Sequence, residues 1–226
     1  MHNIVSSESQ VGSKTGVIMK HIGIIGIFLC LLCIFFGVYV VYFRINPRIV
    51  ESTAESFHFD ELSLIEDYAD VIVRVKVSGR KKTIIESAMK IGNQEVPIFG
   101  YTLTTAEVIK TYKGQELIKN NTIEFIEPYY ERQGLDFTKL IATFENYRPA
   151  KTGKEYLLFL RVDKDRDQLT VFSTYQCKVP VNNEVFDPAR IDKLTARDLE
   201  IGNGLSPFIF DSYKEVLKEI IEKYKE

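Results

Sequence analysis

Histidine and cysteine are scarce in this chain: 226 residues contain three of each. Their positions remove several kinds of chemistry. The histidines are His2, His21 and His58, and none falls in a stretch with strand character. The body of the chain therefore has no material for a Ser/His/Asp triad, a Cys/His dyad or a histidine-based zinc site. Three cysteines make no disulfide framework, and Cys30 and Cys33 lie inside an apolar run. Cys177, alone in the body of the chain and in a stretch with strand character, reads as a small buried hydrophobe rather than a reactive thiol. Glycine-rich phosphate loops and dinucleotide fingerprints are missing. Positive charge is not in excess either. The net charge is −2, and only Lys14, Lys20 and Glu8 precede the apolar run, so the part after it is slightly acidic. No nucleic-acid partner follows from such a balance.

The mean hydropathy of −0.06 hides one feature. Ile22 to Phe43 runs without a charged residue. As a helix rising about 1.5 Å per residue it would be about 33 Å long, against about 30 Å for a bilayer core. Tyr39 and Tyr42 stand near one end, where amphipathic rings favour the headgroup layer, and Arg44 and Arg48 follow. The expectation is a transmembrane helix over residues 22–43, with the lipid bilayer as partner. No small residues follow the run at the distance a signal peptidase needs, and Leu29 and Leu32 before the two cysteines do not suit a lipoprotein site. An uncleaved anchor is expected. Lys14 and Lys20 balance Arg44 and Arg48, so basic residues alone do not orient it. Met19-Lys20-His21 has the form of a translation start with a positive leader, which puts the N-terminus in the cytoplasm and exports the C-terminal domain. Residues 1–21 are then a polar tail, its first 18 residues disordered or untranslated.

Residues 44–58, with Asn46-Pro47 and Glu51-Ser-Thr-Ala-Glu-Ser56, read as a tether. Residues 59–209 carry the pattern of a small β domain. Asp60 is the expected cap of a short helix ending near Asp67. Val71, Val73, Val75 and Val77 then alternate, with a turn or bulge at Gly79-Arg-Lys-Lys82 and a continuation at Thr83–Glu86. Tyr101–Tyr112 and Thr122–Glu127 are further strands. Tyr156–Val162 is apolar almost throughout, as in a central strand covered on both faces. Asp163-Lys-Asp-Arg-Asp167 turns the chain, and Leu169–Tyr175 returns it. The alternating carboxylates match the start of a calcium loop, but Gln168 and Thr174 stand where glycine and glutamate are needed, so the stretch reads as a charged hairpin turn without metal. Ser212-x-x-Glu215 has capping-box form, and Tyr213, Val216, Leu217, Ile220, Ile221 and Tyr224 recur at helical spacing. An amphipathic helix over 210–226 is expected to pack this stripe on the barrel. The fold class is mainly β (α+β): one N-terminal transmembrane helix, a small antiparallel barrel and a C-terminal helix.

Three stretches carry a resemblance: Ala69-Asp70-Val-Ile-Val-Arg-Val-Lys-Val77, then Thr104-x-x-Glu107-Val-Ile-Lys110-x-x-Lys113-Gly114, then Gly153-x-x-Tyr156-Leu-Leu-Phe-Leu160. Over residues 60–185 the chain resembles exported domains of Gram-positive bacteria. Their barrels are similar to the oligonucleotide/oligosaccharide-binding (OB) fold or to netrin-like and metalloproteinase-inhibitor barrels. The resemblance implies a fold and no reaction. The inhibitor mechanism of an N-terminal cysteine on a metal does not carry over, because no cysteine of the domain precedes Cys177.

One connection is long and aromatic, from Pro128 to Pro149, with Tyr129, Tyr130, Phe137, Phe144 and Tyr147. Such a loop is either functional or extra core, here with a helix expected at Thr138–Phe144. Tyr129, Tyr130, Glu131, Tyr147 and Arg148 are the candidate ligand contacts for a protein, peptide or glycan. No catalytic residue, cofactor or metal ligand is assigned. The leading expectation is a membrane-anchored extracytoplasmic binding module without enzymatic activity. The alternatives are a cell-wall hydrolase using Glu127, Glu131, Asp136 and Glu145, or an immunity or protease-inhibitor-like protein.

Overall fold

The computed structural model describes residues 26–42, 47–52, 57–92, 94–134, 138–173 and 175–225. The chain divides into two compact units, Met1–Arg48 with Gly134–Lys139 and Ile49–Gln133 with Leu140–Glu226. In the first unit residues 26–42 form helix α1. Its large apolar side chains are exposed, Phe35 and Phe36 by 72% and 67%. Among the described residues no helix is long and apolar enough to cross a membrane. Residues 22–25 and Phe43 of the expected span, the tail before it and the Met19 start lie outside the described residues.

The second unit is built on a closed barrel. Its strands are β2 (Val71–Ile91), β3 (Gln94–Lys113), β4 (Thr122–Glu127), β7 (Glu155–Asp163) and β8 (Gln168–Val171). They run in the order β2-β3-β4-β8-β7, and β7 pairs back onto β2. All these pairings are antiparallel except β4 with β8, where Phe125 faces Leu169. The strand expected to be central is central: β7 carries β2 on one edge, and β8 and β9 (Lys178–Pro180) on the other. Tyr156 to Leu160 are all buried, which is why that stretch has no polar alternation.

A second sheet has the order β1-β6-β5, formed by Arg48–Ser52, Lys139–Phe144 and Tyr129–Gln133. Two expectations are corrected here. Part of the stretch read as tether is strand β1, and the helix read at Thr138–Phe144 is strand β6, whose Ile141, Ala142 and Thr143 are buried. Thr, Ile and Phe favour a pleated surface that can be covered, and tertiary packing decided between the two periods.

Helix α2 (Leu62–Tyr68) starts one residue later than expected. Glu61 is its N-cap rather than Asp60, and it makes no side-chain cap. Helix α3 (Pro207–Tyr224) starts earlier than the Ser212 signature. Ser206 is the cap, its hydroxyl accepting from the Ile209 amide, and Pro207 follows at the first helical position. The stripe from Tyr213 to Tyr224 is buried as its spacing required. Tyr224 meets the rings of Tyr112 and Phe159 edge-on at 4.8 and 5.8 Å. Burial of each large side chain of that stripe contributes about 1.5–3 kcal/mol.

The register of β2 explains the sequence around Gly79. Val77 pairs with Ala106 but the next pair is Lys81 with Thr104, so residues 78–80 form a bulge. The strand then continues far beyond Glu86. Ile84–Ile91 and Gln94–Tyr101 pair only with each other among the described residues, forming a two-stranded arm about 25 Å long.

Candidate functional site

Three regions of the second unit concentrate polar or exposed apolar groups: a buried polar cluster at one end of the barrel, a cleft, and the arm. The cluster forms because β4 ends with Glu127 turned inward, fully buried. A buried carboxylate is tolerated only when its lone pairs are filled. Lys81 Nζ donates to Oε1 at 3.1 Å, and the Thr104 hydroxyl donates to the same oxygen. The Tyr147 hydroxyl and the Ala150 amide each donate to Oε2 at 2.7 Å. Lys81 also donates to the Tyr129 hydroxyl at 3.2 Å and the Ala150 carbonyl at 2.5 Å. The bulge at residues 78–80 sets the register that brings Lys81 opposite Thr104 beside this carboxylate.

A second half of the cluster surrounds Glu200, which has a positive φ of 54° in the segment before α3. Tyr156 donates its hydroxyl to Oε2 at 2.6 Å, and Lys151 and Lys154 lie 2.8 and 3.0 Å from Oε1. Lys178 Nζ is 4.0 Å from Oε2 with no hydrogen-bond partner, and sits over the rings of Tyr156 and Tyr147 at 4.8 and 5.3 Å. Burial lowers Lys178 to about 8, against the opposing fields of Glu200 and Glu127. Burial pulls Glu200 upward, but hydrogen bonds from Lys151 and Tyr156 and the charge of Lys178 outweigh it and hold the carboxyl at about 2. Burial, reinforced by Glu127, pushes Tyr147 well above its ordinary value.

Tyr129, Tyr130 and Tyr147, read from the sequence as part of a ligand-contact loop, are therefore buried side chains of a strand pair and its following turn. Tyr129 and Tyr147 stack at 6.5 Å, and the Tyr130 hydroxyl donates to the Ile98 carbonyl at 2.9 Å, fastening β5 to the arm. Glu131 and Arg148 are half-buried, and Arg148 pairs with Glu51 at 2.5 Å. Of the four carboxylates considered for hydrolysis, Glu127 is enclosed by its donors, Glu131 is half-buried and Asp136 lies outside the described residues. Glu145 lines a cleft.

That cleft has a volume of about 430 Å³ and is lined by residues including Glu51, His58, Glu145, Asn146, Tyr175 and Ser206. His58 Nε2 lies 3.1 Å from Asp60 and Nδ1 lies 2.6 Å from the Tyr175 hydroxyl. With Nε2 donating to Asp60, Nδ1 accepts from the phenol. Burial, with Glu145 and Asp60 nearby, pushes Tyr175 up to about 12, so the phenol stays protonated at neutral pH. The trio orders the segment before α2.

Cys177 is buried, and burial pushes its thiol upward, away from thiolate chemistry. The β7–β8 turn uses Asp163 internally: its carboxylate accepts from the Asp165 and Arg166 amides at 3.0 and 3.3 Å and from the Arg166 guanidinium at 2.5 Å. Among the described residues no group of three His, Cys, Asp or Glu side chains is placed to hold a metal ion.

The sequence reading missed the arm. Its signal was the Gly92-Asn93 pair between two β-branched runs, a strong hairpin mark. Met89 lies directly opposite Val96, and Ile91 falls on the same face by alternation, whereas register shifts between Ile85 and Ser87 and between Ser87 and Ala88 break the alternation before Ile85. Ile85, Met89 and Ile91 are 40%, 51% and 57% exposed. The base of the arm is close-packed: a Cβ on Gly100 would come within 2.5 Å of the Ile84 carbonyl oxygen. Neither a protein-family model nor a curated protein matches this chain.

Proposed function

We propose that the protein is a membrane-anchored, extracytoplasmic, non-catalytic binding module whose β2–β3 arm takes a protein partner. The observation that carries this reading is the apolar surface of the arm, where Met89 and Ile91 stay exposed beside Val96 and Ile85 is exposed nearer its base. Soluble surfaces scatter such residues singly, and a contiguous strip on an isolated hairpin is a docking surface or a liability. The strand order of the barrel, with β4 and β8 as its parallel pair, supports an OB-like assignment. In that fold the loops after the first and fourth strands flank the binding face, and here these are the arm and the β7–β8 turn. The anchor reading rests on the uncharged run Ile22–Phe43 and on the exposed apolar side chains of α1, which lipid would cover. The enclosure of Glu127 by four donors weighs against the hydrolase alternative.

Two measurements test the reading. The full-length protein should stay with membranes through an alkaline carbonate wash, and protease added to intact cells should degrade the C-terminal domain. A photo-crosslinking residue at Met89 should give a discrete protein adduct, and the same probe at Lys119 should not. Recovery in the aqueous fraction would remove the anchor, and identical adduct patterns at the two sites would remove the arm.

A further inference from the structure

We propose that the partner taken by the arm is a second copy of this chain, joined by antiparallel pairing of the two β2 strands about Ala88. This rests on the arm being a binding surface and names its occupant. Residues 85–91 of β2 pair with β3 on one side, with two offsetting register shifts between Ile85 and Ala88, and among the described residues no strand is paired on the other. The matching edge of β3 carries Pro97, which has no amide hydrogen to give; β2 carries no proline between Val71 and Ile91. The open edge therefore belongs to β2.

The sequence along that edge is complementary to its own reverse. Residues 85–91 read Ile-Glu-Ser-Ala-Met-Lys-Ile. Laid antiparallel about Ala88, Ile85 faces Ile91 of the other copy, Glu86 faces Lys90 and Ser87 faces Met89. Each charge meets its opposite, the isoleucines meet each other, and the one residue that must meet itself on the two-fold axis is small. Shifting the axis by one residue either way sets Glu86 against Ala88 or Gly92, and no charge pair remains. Exposed Met89 and Ile91 are then brought near the seam between the two copies. Glu86 already accepts from Arg166 at 2.6 and 2.8 Å. A carboxylate has lone pairs for a further donor, so Lys90 of the second copy would extend this contact rather than compete with it.

The test uses the full chain in detergent micelles with Cys30→Ser and Cys33→Ser, leaving only the buried Cys177. Directly opposed residues in an antiparallel pair lie about 4.5–5.5 Å apart at Cα, within disulfide range. Ala88→Cys at this exposed position should form a covalent dimer under mild oxidation at least ten-fold faster than Lys119→Cys in the exposed β3–β4 turn. Ser87→Cys, which faces Met89, should lag behind Ala88→Cys. Adding Lys90→Glu to the Ala88→Cys chain should slow dimer formation at least ten-fold, because Glu86 would then face a like charge. Equal rates at positions 88 and 119, or indifference to Lys90→Glu with the melting transition unchanged, would overturn the self-pairing. If Met89 probes still gave an adduct with a different protein in that case, the arm would stand as a binding surface and only its proposed occupant would fall.

Discussion

Arg166 holds Glu86 through a forked contact, Nη2 at 2.6 and 2.8 Å from the two carboxylate oxygens and Nε at 2.9 Å from Oε1. The same guanidinium lies 5.3 Å over the ring of Tyr101 and donates to the carboxylate of Asp163 as a second partner. Both carboxylates raise it further above its ordinary value. The β7–β8 turn thus holds one side of the arm, and Tyr130 of β5 holds it at the Ile98 carbonyl.

Arg166→Ala should free the arm without unfolding the barrel. The side chain is one-third exposed, so screening limits the pair to about 0–1 kcal/mol of global stability. Amide exchange over residues 84–91 and 95–101 should nevertheless accelerate at least ten-fold, while β7 amides keep their protection. An arm that exchanges at the wild-type rate in this variant would show that its orientation does not depend on Arg166.

Glu127→Ala should be severe. It strands Lys81 and leaves the Thr104 and Tyr147 hydroxyls and the Ala150 amide without their acceptor. Breaking a buried pair from one side costs about 3–5 kcal/mol. Urea unfolding should register a loss in that range at unchanged m-value. A loss below about 1 kcal/mol would mean that water replaces the carboxylate and that the site is wetter than its burial implies.

What the sequence made legible follows from local physics, and what it hid follows from tertiary choice. The valines of β2 and the stripe of α3 each declare one buried face through their period, and both faces are buried. The apolar run of β7 declares a strand covered on both sides. The tyrosines of β5 and Tyr147 were ambiguous, because an aromatic residue in a long connection serves a ligand or a core equally well by composition. The partners that decide it are tertiary: Glu127 for the Tyr147 hydroxyl, Lys81 for that of Tyr129 and the Ile98 carbonyl for that of Tyr130. Lys178 and Glu200 carry no sequence mark, since a buried ion cluster is assembled from β9, the 145–154 segment and the residues before α3. The arm had a mark in Gly92-Asn93, but the strand expected from the sequence ends at Glu86.

Gly114→Ala should destabilise by about 2 kcal/mol or more, combining left-handed backbone strain with a steric clash. Gly114 has φ +77°, and a Cβ there would run into the Asp70 carbonyl oxygen and come within 2.8 Å of Val71 Cγ2. The turn after β3 and the start of β2 cannot separate without breaking the Ile72–Lys113 pairing. Gly153 offers the control: it has φ +79° with open space around its Cβ position, so Gly153→Ala should show the strain alone and a smaller loss. Equal losses at the two positions, read from thermal melts, would remove the clash from the account.

The buried cluster predicts a two-sided pH dependence. Glu200 sits at about 2 in the folded chain against an ordinary 4.5. Between those values the unfolded chain binds the extra proton, so the stabilisation is complete above pH 4.5 and is lost as pH falls towards 2. A shift of this size corresponds to about 3 kcal/mol. Lys178 sits at about 8 against an ordinary 10.5. Between those values the unfolded chain again holds more protons, so stability rises from pH 8 upward as the folded chain sheds a buried charge. The buried tyrosines work in the other direction. Tyr129, Tyr147, Tyr156 and Tyr213 are all raised, chiefly by burial, so above pH 10 the folded chain keeps protons that the unfolded chain loses, and stability falls. Maximum stability should therefore lie at about pH 9–10, above the range usual for a chain of this charge. Urea midpoints measured from pH 3 to 11 test this, with m-values checked at each step. Lys178→Met should remove the rise between pH 8 and 10, and Glu200→Gln should flatten the acid limb. Because the two groups lie 4.0 Å apart, the double variant should lose less than the sum of the singles. A flat profile from pH 7 to 10 in the wild-type chain would mean that Lys178 is hydrated in place, and the depressed value would have no basis.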